Sequence, residues 1–391
     1  MVDVSNQMMS ADSGDNGQES ISPSAVDAAL SAAGLNDAEA IALFSSATTV
    51  IDGLRLINLV QPLTWESAFE RPLHELETWF RVACGSRVPI TDTIEAAPYT
   101  IATQADADAL VGKRVIGWID ITASGIELRD CAVLGAAIDP EAYVYDVDAN
   151  GWPSGQTAQD KRAALNAMHR QLVMVEAAAS NAHIHHIQID GAGERAYSGI
   201  GGASYATGLV VDHCDIAACG DDAIKAPIGA VIERNYIHDM LAWDAAAYGP
   251  YYGAPNDVRY PHMDGIQFVR GYGVVQENWL GMPASANCTS AVIVRPDTGQ
   301  ASDTGAFQRN YVAGSNNYPI QFITQNGTLT NPGAVNTGIV IGGNRISRDY
   351  SGYADHGPYS LATQYADTIT LDGDTWADDG SAVPVPQLPQ R

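Results

Sequence analysis

A six-residue unit recurs along this chain at irregular distances, and few folds accommodate it. The unit runs apolar, two variable residues, a ladder residue, one variable residue, apolar. It reads Leu128-Arg-Asp-Cys131-Ala-Val133, Ile184-His-His-Ile187-Gln-Ile189, Val211-Asp-His-Cys214-Asp-Ile216 and Ile232-Glu-Arg-Asn235-Tyr-Ile237. It continues as Val275-Gln-Glu-Asn278-Trp-Leu280, Phe307-Gln-Arg-Asn310-Tyr-Val312 and Ile341-Gly-Gly-Asn344-Arg-Ile346. Glycine precedes the first apolar position by three residues in several units, at Gly125, Gly208, Gly229 and Gly338. No unit is long enough to bury a face alone. Stacked at about 4.8 Å per coil, however, each strand pairs above and below and all share one core. A fixed short unit separated by insertions of variable length is the pattern of a solenoid. The expected fold is therefore all-β, a right-handed parallel β-helix from about Ile101 to about Asp372. The ladder asparagines, with two donors and one acceptor each, are expected to bond coil to coil and hence to be structural.

A second strand series follows the first: Ser198–Gly202, Asp222–Ala226, Asp264–Phe268, Ser290–Val294 and Tyr318–Phe322. Alternation places Ile200, Ile224, Ile266, Val292 and Ile320 inward. Gly201, Lys225, Gln267, Ile293 and Gln321 then point outward in one vertical row, the most informative surface in the sequence.

The flanks differ in character. The first twenty residues are polar and acidic, a composition that does not order itself. Ser22 and Pro23 then mark a helix start. Apolar residues at helical spacing follow, first Ile41, Phe44, Ile51 and Leu54, then Trp65, Phe69, Leu73, Leu76 and Phe80 over Thr64–Cys84, with Pro72 interrupting. Such an amphipathic head packs on its own β-domain or docks on a partner. The expected domains are a helical attachment head over residues 1–95, the β-helix over 96–376, and a Pro-rich extended tail over 377–391. Two long excursions leave the coils, at Asp139–Arg170 and at Leu241–Tyr260, the latter rich in aromatic residues.

Lys and Arg total 20 against 46 Asp and Glu, a net charge of −26. That balance repels nucleic-acid phosphate and anionic membranes, so neither is expected as a partner, nor is membrane insertion. The five cysteines match neither a zinc spacing nor a disulfide framework and are expected to be free thiols. The N-terminal residues lack the basic start and apolar run of a signal peptide. Synthesis in a cytoplasm is expected, with any extracellular role reached by another route.

Several stretches resemble a known group: right-handed β-helix proteins of the pectate-lyase superfold, including tailspike and minor tail proteins of actinobacterial phages. They are Ile121–Gly135, Gly229–Met240, His262–Phe268, Ser290–Asp297 and Gly342–Tyr350. The resemblance implies a carbohydrate-directed surface, a virion location on the phage tail, contacts with other tail proteins, and a homotrimer. One departure matters. Polygalacturonases carry an Asn-Thr-Asp segment before a Gly-Asp-Asp segment, whereas here Cys219–Lys225 (CGDDAIK) precedes His262–Gly265 (HMDG), so no glycosidase mechanism transfers residue by residue.

The candidate chemistry centres on Asp222 and Asp264, at equivalent positions of successive coils. Carboxylates about 5 Å apart split their pKa values and divide acid and base roles, as in retaining glycosidases. With Asp221 they also offer oxygen ligands for Ca²⁺, the one cofactor considered. The structural alternative is that each Asp caps its own turn. His262, Lys225 and Arg270 complete the catalytic set: a polysaccharide lyase needs a base and a cation against the uronate carboxylate, with Lys225 or Arg270 as base and His262 assisting. The plain alternative is salt bridging. Gln267, Arg295, Gln321, Trp243, Tyr251, Tyr252 and Tyr260 are the candidate substrate-binding residues. The aromatic rings suit either sugar stacking or ordinary packing. His183, His185 and His186 look like a metal cluster, but alternation sends neighbours to opposite faces and the resemblance offers no metal there, so none is expected. The leading reading is a tailspike or minor tail protein that binds, and as a depolymerase cuts, host surface polysaccharide. The alternatives are a bacterial polysaccharide lyase or glycoside hydrolase, and a non-catalytic virion fibre or decoration.

Overall fold

A computed structural model describes residues 69–136, 170–192, 197–203, 206–241, 263–268, 272–283, 288–294, 305–314, 318–322, 338–348, 358–361 and 369–385. These form a parallel β-helix of three strand ladders. The first ladder stacks Glu127–Arg129, His183–His185, Val210–Asp212, Val231–Glu233, Val274–Gln276, Gly305–Gln308, Ile339–Gly342 and Ile369–Asp372. The second begins with Ala132–Leu134 and Gln188–Asp190 and ends with Arg345–Ile346 and Thr375–Trp376. The third runs from Arg170–Val175 and Tyr197–Gly202 to Ile320–Phe322 and Tyr359–Leu361. Two longer paired strands, Asp92–Ile101 and Lys113–Ile121, form the base coils, and Lys113–Ile121 continues upward into both the second and third ladders. Every pairing within the ladders is parallel, and one continuous apolar core runs from Ile101 to Val383.

The repeated unit is the corner between the first and second ladders. Its two apolar positions face inward and are fully or almost fully buried, as at Leu128 and Val133 or Ile232 and Ile237. Its third residue takes a left-handed backbone in every coil: Asp130, His186, His213, Arg234, Glu277, Arg309, Gly343 and Gly373. Most of these are not glycine, and left-handed backbone costs an L-residue about 1 kcal/mol or more. In the coils of Arg234, Glu277 and Arg309 the next residue, an asparagine, offsets that cost. Asn278 accepts from Asn235 N and Nδ2 at 2.9 and 3.0 Å and donates through Nδ2 to Ile232 O and to Asn310 Oδ1, both at 3.0 Å. Asn235, Asn310 and Asn344 repeat this pattern. The expected amide ladder is present, and it ends on Asp374, which accepts from Asn344 and from Tyr359 Oη.

The glycines before each unit also have a reason. Gly125, Gly208, Gly229 and Gly338 all have positive φ, and Asn181 takes the same role where glycine is missing. At Gly208 a Cβ would meet Asn181 Oδ1 at 2.3 Å, so the position excludes larger residues twice over.

The helix Leu73–Ala83 starts directly after Pro72, which is its N-cap. Leu76, Trp79, Phe80 and Ala83 cover the outward aromatic stripe of the second ladder, Tyr236, Trp279 and Tyr311. The chain crosses successive coils: Arg345 donates to Phe69 O and Arg71 O, Tyr236 Oη bonds Glu77, Gly85 N donates to His213 O, and Arg87 forks onto Asp130. Of the two roles open to the head, this segment packs on its own β-domain. The first part of the tail is likewise folded back: Thr375 pairs antiparallel with Ala382, and Val383 joins the core. The other expected helices, the two excursions and the end of the tail lie outside the described residues. No helix among the described residues is long and apolar enough to cross a membrane.

Candidate functional site

Two polar clusters stand out from the stacking, one on the third ladder and one on the first. On the third ladder, Ile200, Ile224, Ile266, Val292 and Ile320 stack in register and point inward, as alternation requires. Gly201, Lys225, Gln267, Ile293 and Gln321 form the second column, in register from coil to coil. The row exists, but it is not open to solvent: Gln267 is 6% exposed and Gln321 4%. Gln321 Nε2 donates to Thr289 O at 3.2 Å, so its amide is turned to the protein. The expectation of an open sugar-facing row is corrected to that of a covered floor.

The carboxylates at the start of these strands are also internal. Asp222 and Asp264 are both fully buried. Asp222 Oδ1 accepts from Asp264 N at 2.9 Å, which ties one coil to the next, and Asp264 Oδ1 accepts from Ser290 Oγ. Asp221 Oδ2 accepts from Ser198 Oγ at 3.0 Å and Lys225 Nζ at 2.6 Å, while Lys225 Nζ stands 3.5 Å from Asp222 Oδ2. Two of these bonds, Ser198 to Asp221 and Asp264 N to Asp222, join neighbouring coils, whereas Lys225 to Asp221 lies within one coil. Burial alone favours a neutral Lys225, but the charges of Asp221 and Asp222 outweigh it and raise its pKa. The two carboxylates thus favour the protonated form of Lys225. Its ammonium thus contacts two of the three carboxylates, Asp221, Asp222 and Asp264, considered as Ca²⁺ ligands. His262, Arg270, Arg295, Trp243, Tyr251, Tyr252 and Tyr260 lie outside the described residues.

The first-ladder cluster was not expected. His183 and His185 are two residues apart on one strand, so both project from its outer face, with ring centroids 4.3 Å apart. The left-handed backbone at His186 keeps that ring outside too, where it bonds His185 through Nδ1–Nδ1 at 2.8 Å and stacks on His213 at 4.7 Å. Carboxylates flank the rings. His183 Nε2 bonds Asp212 Oδ2 at 2.5 Å, His213 Nδ1 bonds Asp212 Oδ1 at 2.6 Å, and His185 Nε2 bonds Glu127 Oε1 at 2.9 Å. The hydrogen bond to Asp212 raises the His183 pKa, whereas burial lowers that of His185 and takes His186 down to about 3. Burial would raise the Asp212 pKa, but the two histidine bonds hold it well below the usual carboxylate range. The alternation that argued against a cluster holds only within a strand; the corner residue escapes it. The sequence signal was the His-x-His spacing itself.

The segments between ladders differ in a way that bears on function. The first-to-second connection is two residues long in every coil. The connections on both sides of the third ladder vary, from as short as 218–223 and 227–230 to as long as 135–169 and 323–338. No family model, curated protein or solved structure matches the chain.

Proposed function

We propose that the protein is a polysaccharide-binding β-helix of the tailspike or minor-tail type, with its ligand surface on the third-ladder side. The observation that carries this reading is the confinement of variable connections to the two flanks of that ladder. On a rigid scaffold, recognition resides in the segments free to vary. The Lys225–Asp221–Asp222 set is engaged within the coils, so the ligand is assigned to the connections instead. The connection 239–262, which leads into the strand Met263–Phe268, carries Trp243, Tyr251, Tyr252 and Tyr260 in its sequence, and aromatic faces stack on sugar rings.

Binding is favoured over cleavage by one specific observation: both carboxylates of the candidate pair are fully buried and bonded to neighbouring coils. A depolymerase activity would then need acid and base groups from the flanks, with His262 and Arg270 as the candidates. The phage-tail location and the homotrimer rest on the resemblance alone.

The test is a glycan array and a sedimentation assay with purified actinobacterial surface polysaccharide. The expected outcome is binding that falls at least about tenfold in a Tyr251→Ala/Tyr252→Ala protein, since stacked aromatic contacts contribute on the order of 1 kcal/mol each. Binding unchanged in that variant, or no glycan bound by the parent, overturns the reading. Antibody labelling of phage particles tests the location separately.

A further inference from the structure

We infer that Glu127, His183 and His185 form a binding site for a divalent transition-metal ion of the Zn²⁺ class on the outer face of the first ladder. One ligand atom from each residue lies within 4.8 Å of the others. Stacking makes this convergence a consequence of register: Glu127 sits directly below His183 in the parallel pairing, and His185 follows His183 by one full alternation. Two imidazoles and a carboxylate suit Zn²⁺, which takes nitrogen and oxygen ligands at about 2.0–2.2 Å. Ca²⁺ and Mg²⁺ prefer all-oxygen sets.

The site is also accessible and supported. Glu127 is 50% exposed along its side chain and His183 43%, so an ion can reach them, while His185 is buried behind. Asp212 bonds His183 Nε2, the kind of outer carboxylate that fixes the ring of a metal-binding histidine. His186 contacts His185 at its other ring nitrogen. A second set, His185, His186 and Asp212, shares His185. Of the two, the Glu127 set is the one with an exposed member, Glu127. Three protein ligands leave a fourth position for water or an anionic group.

The experiment uses the untagged full chain, stripped with chelator, dialysed, and titrated with ZnCl₂ by calorimetry, with bound zinc counted by elemental analysis. One equivalent is expected, with CaCl₂ giving no heat. Glu127→Gln and His183→Ala should each weaken zinc binding by at least about a hundredfold, and Asp212→Asn by about tenfold or more, by analogy with outer-shell losses of 10–100-fold. His238→Ala, on the second ladder, should bind as the parent does. Glu127→Gln changes one half-exposed side chain, so its fold is secure even if another variant unfolds. No retained zinc in the parent, or equal retention in Glu127→Gln and His183→Ala, overturns the assignment.

Discussion

The corner between the first and second ladders and the inner end of the third ladder both bury polar side chains in vertical register, yet they satisfy them differently. At the corner each coil repeats one move, an amide bonded to the same amide above and below, from Asn235 to Asn344. On the third ladder no two coils repeat: Ser198 meets Asp221, Lys225 bridges Asp221 and Asp222, Asp222 holds the backbone of Asp264, and Asp264 meets Ser290. A neutral amide carries both donors and acceptor, so like can bond like indefinitely. A carboxylate only accepts, so each needs an unlike partner chosen for it. The repeating column maintains the stack; the non-repeating one is specific to its place, on the side where the connections also vary.

The most severe way to break this contrast is in the middle of the amide column. Asn278→Ala removes the acceptor used by Asn235 N and Nδ2 and the donor used by Ile232 O, Gln276 O and Asn310 Oδ1. Each buried group left unpaired costs about 1–3 kcal/mol. A total loss of about 4 kcal/mol is expected in urea unfolding, with a similar loss at pH 5 and pH 8 because none of the groups bonded to Asn278 ionises. A loss under about 1 kcal/mol would mean that the corner is held by strand pairing and apolar burial alone.

Lys225→Met tests the other column. It leaves Asp221 and the fully buried Asp222 without their cation, and breaking a buried pair costs about 3 kcal/mol or more. Here the loss should shrink toward acid pH, since protonation relieves carboxylates that have lost their partner. Adding Asp221→Asn to Lys225→Met should recover part of the stability. If the Lys225→Met loss is independent of pH, the third-ladder column is as neutral in practice as the corner, and the contrast fails.

The two columns also differ in how far the sequence revealed them. The corner was legible because stacking makes it repeat: Asn235, Asn278, Asn310 and Asn344 share one slot of a visible unit, and only the terminal Asp374, with its different chemistry, escaped notice. The vertical alignment of Lys225, Gln267 and Gln321 was legible for the same reason. The burial of Gln267 and Gln321 was not, because alternation reports which way a side chain points and not what lies over it. The packing of Leu76, Trp79 and Phe80 on Tyr236, Trp279 and Tyr311 was half visible: both apolar stripes were in the sequence, but their contact joins segments far apart in the chain. The grouping of the histidines was half visible: alternation puts His183 and His185 on one face, but it does not foresee the left-handed backbone at His186 that brings its ring to the same side.

The smallest effect sharpens the border between the two regions. His238 ends a second-ladder strand just before the long 239–262 connection, bonding Asp215 Oδ1 through Nε2 at 2.9 Å and Asp239 Oδ2 through Nδ1 at 2.6 Å. Burial alone would lower its pKa, but the two carboxylates raise it to about 9. A histidine whose pKa is raised on folding stabilises fully below its unfolded value, about 6.5, and that contribution disappears as pH climbs through the folded value. Stability should therefore fall by on the order of 2 kcal/mol between about pH 6 and about pH 10, and His238→Gln should remove that slope. Subtracting the His238→Gln profile from that of the parent isolates this pair of bonds from every other titrating group. Combining His238→Gln with Asn278→Ala then asks whether border and corner act separately. Additive losses place the ion cluster on the variable side, and a coupling above about 0.5 kcal/mol would make it part of the stack.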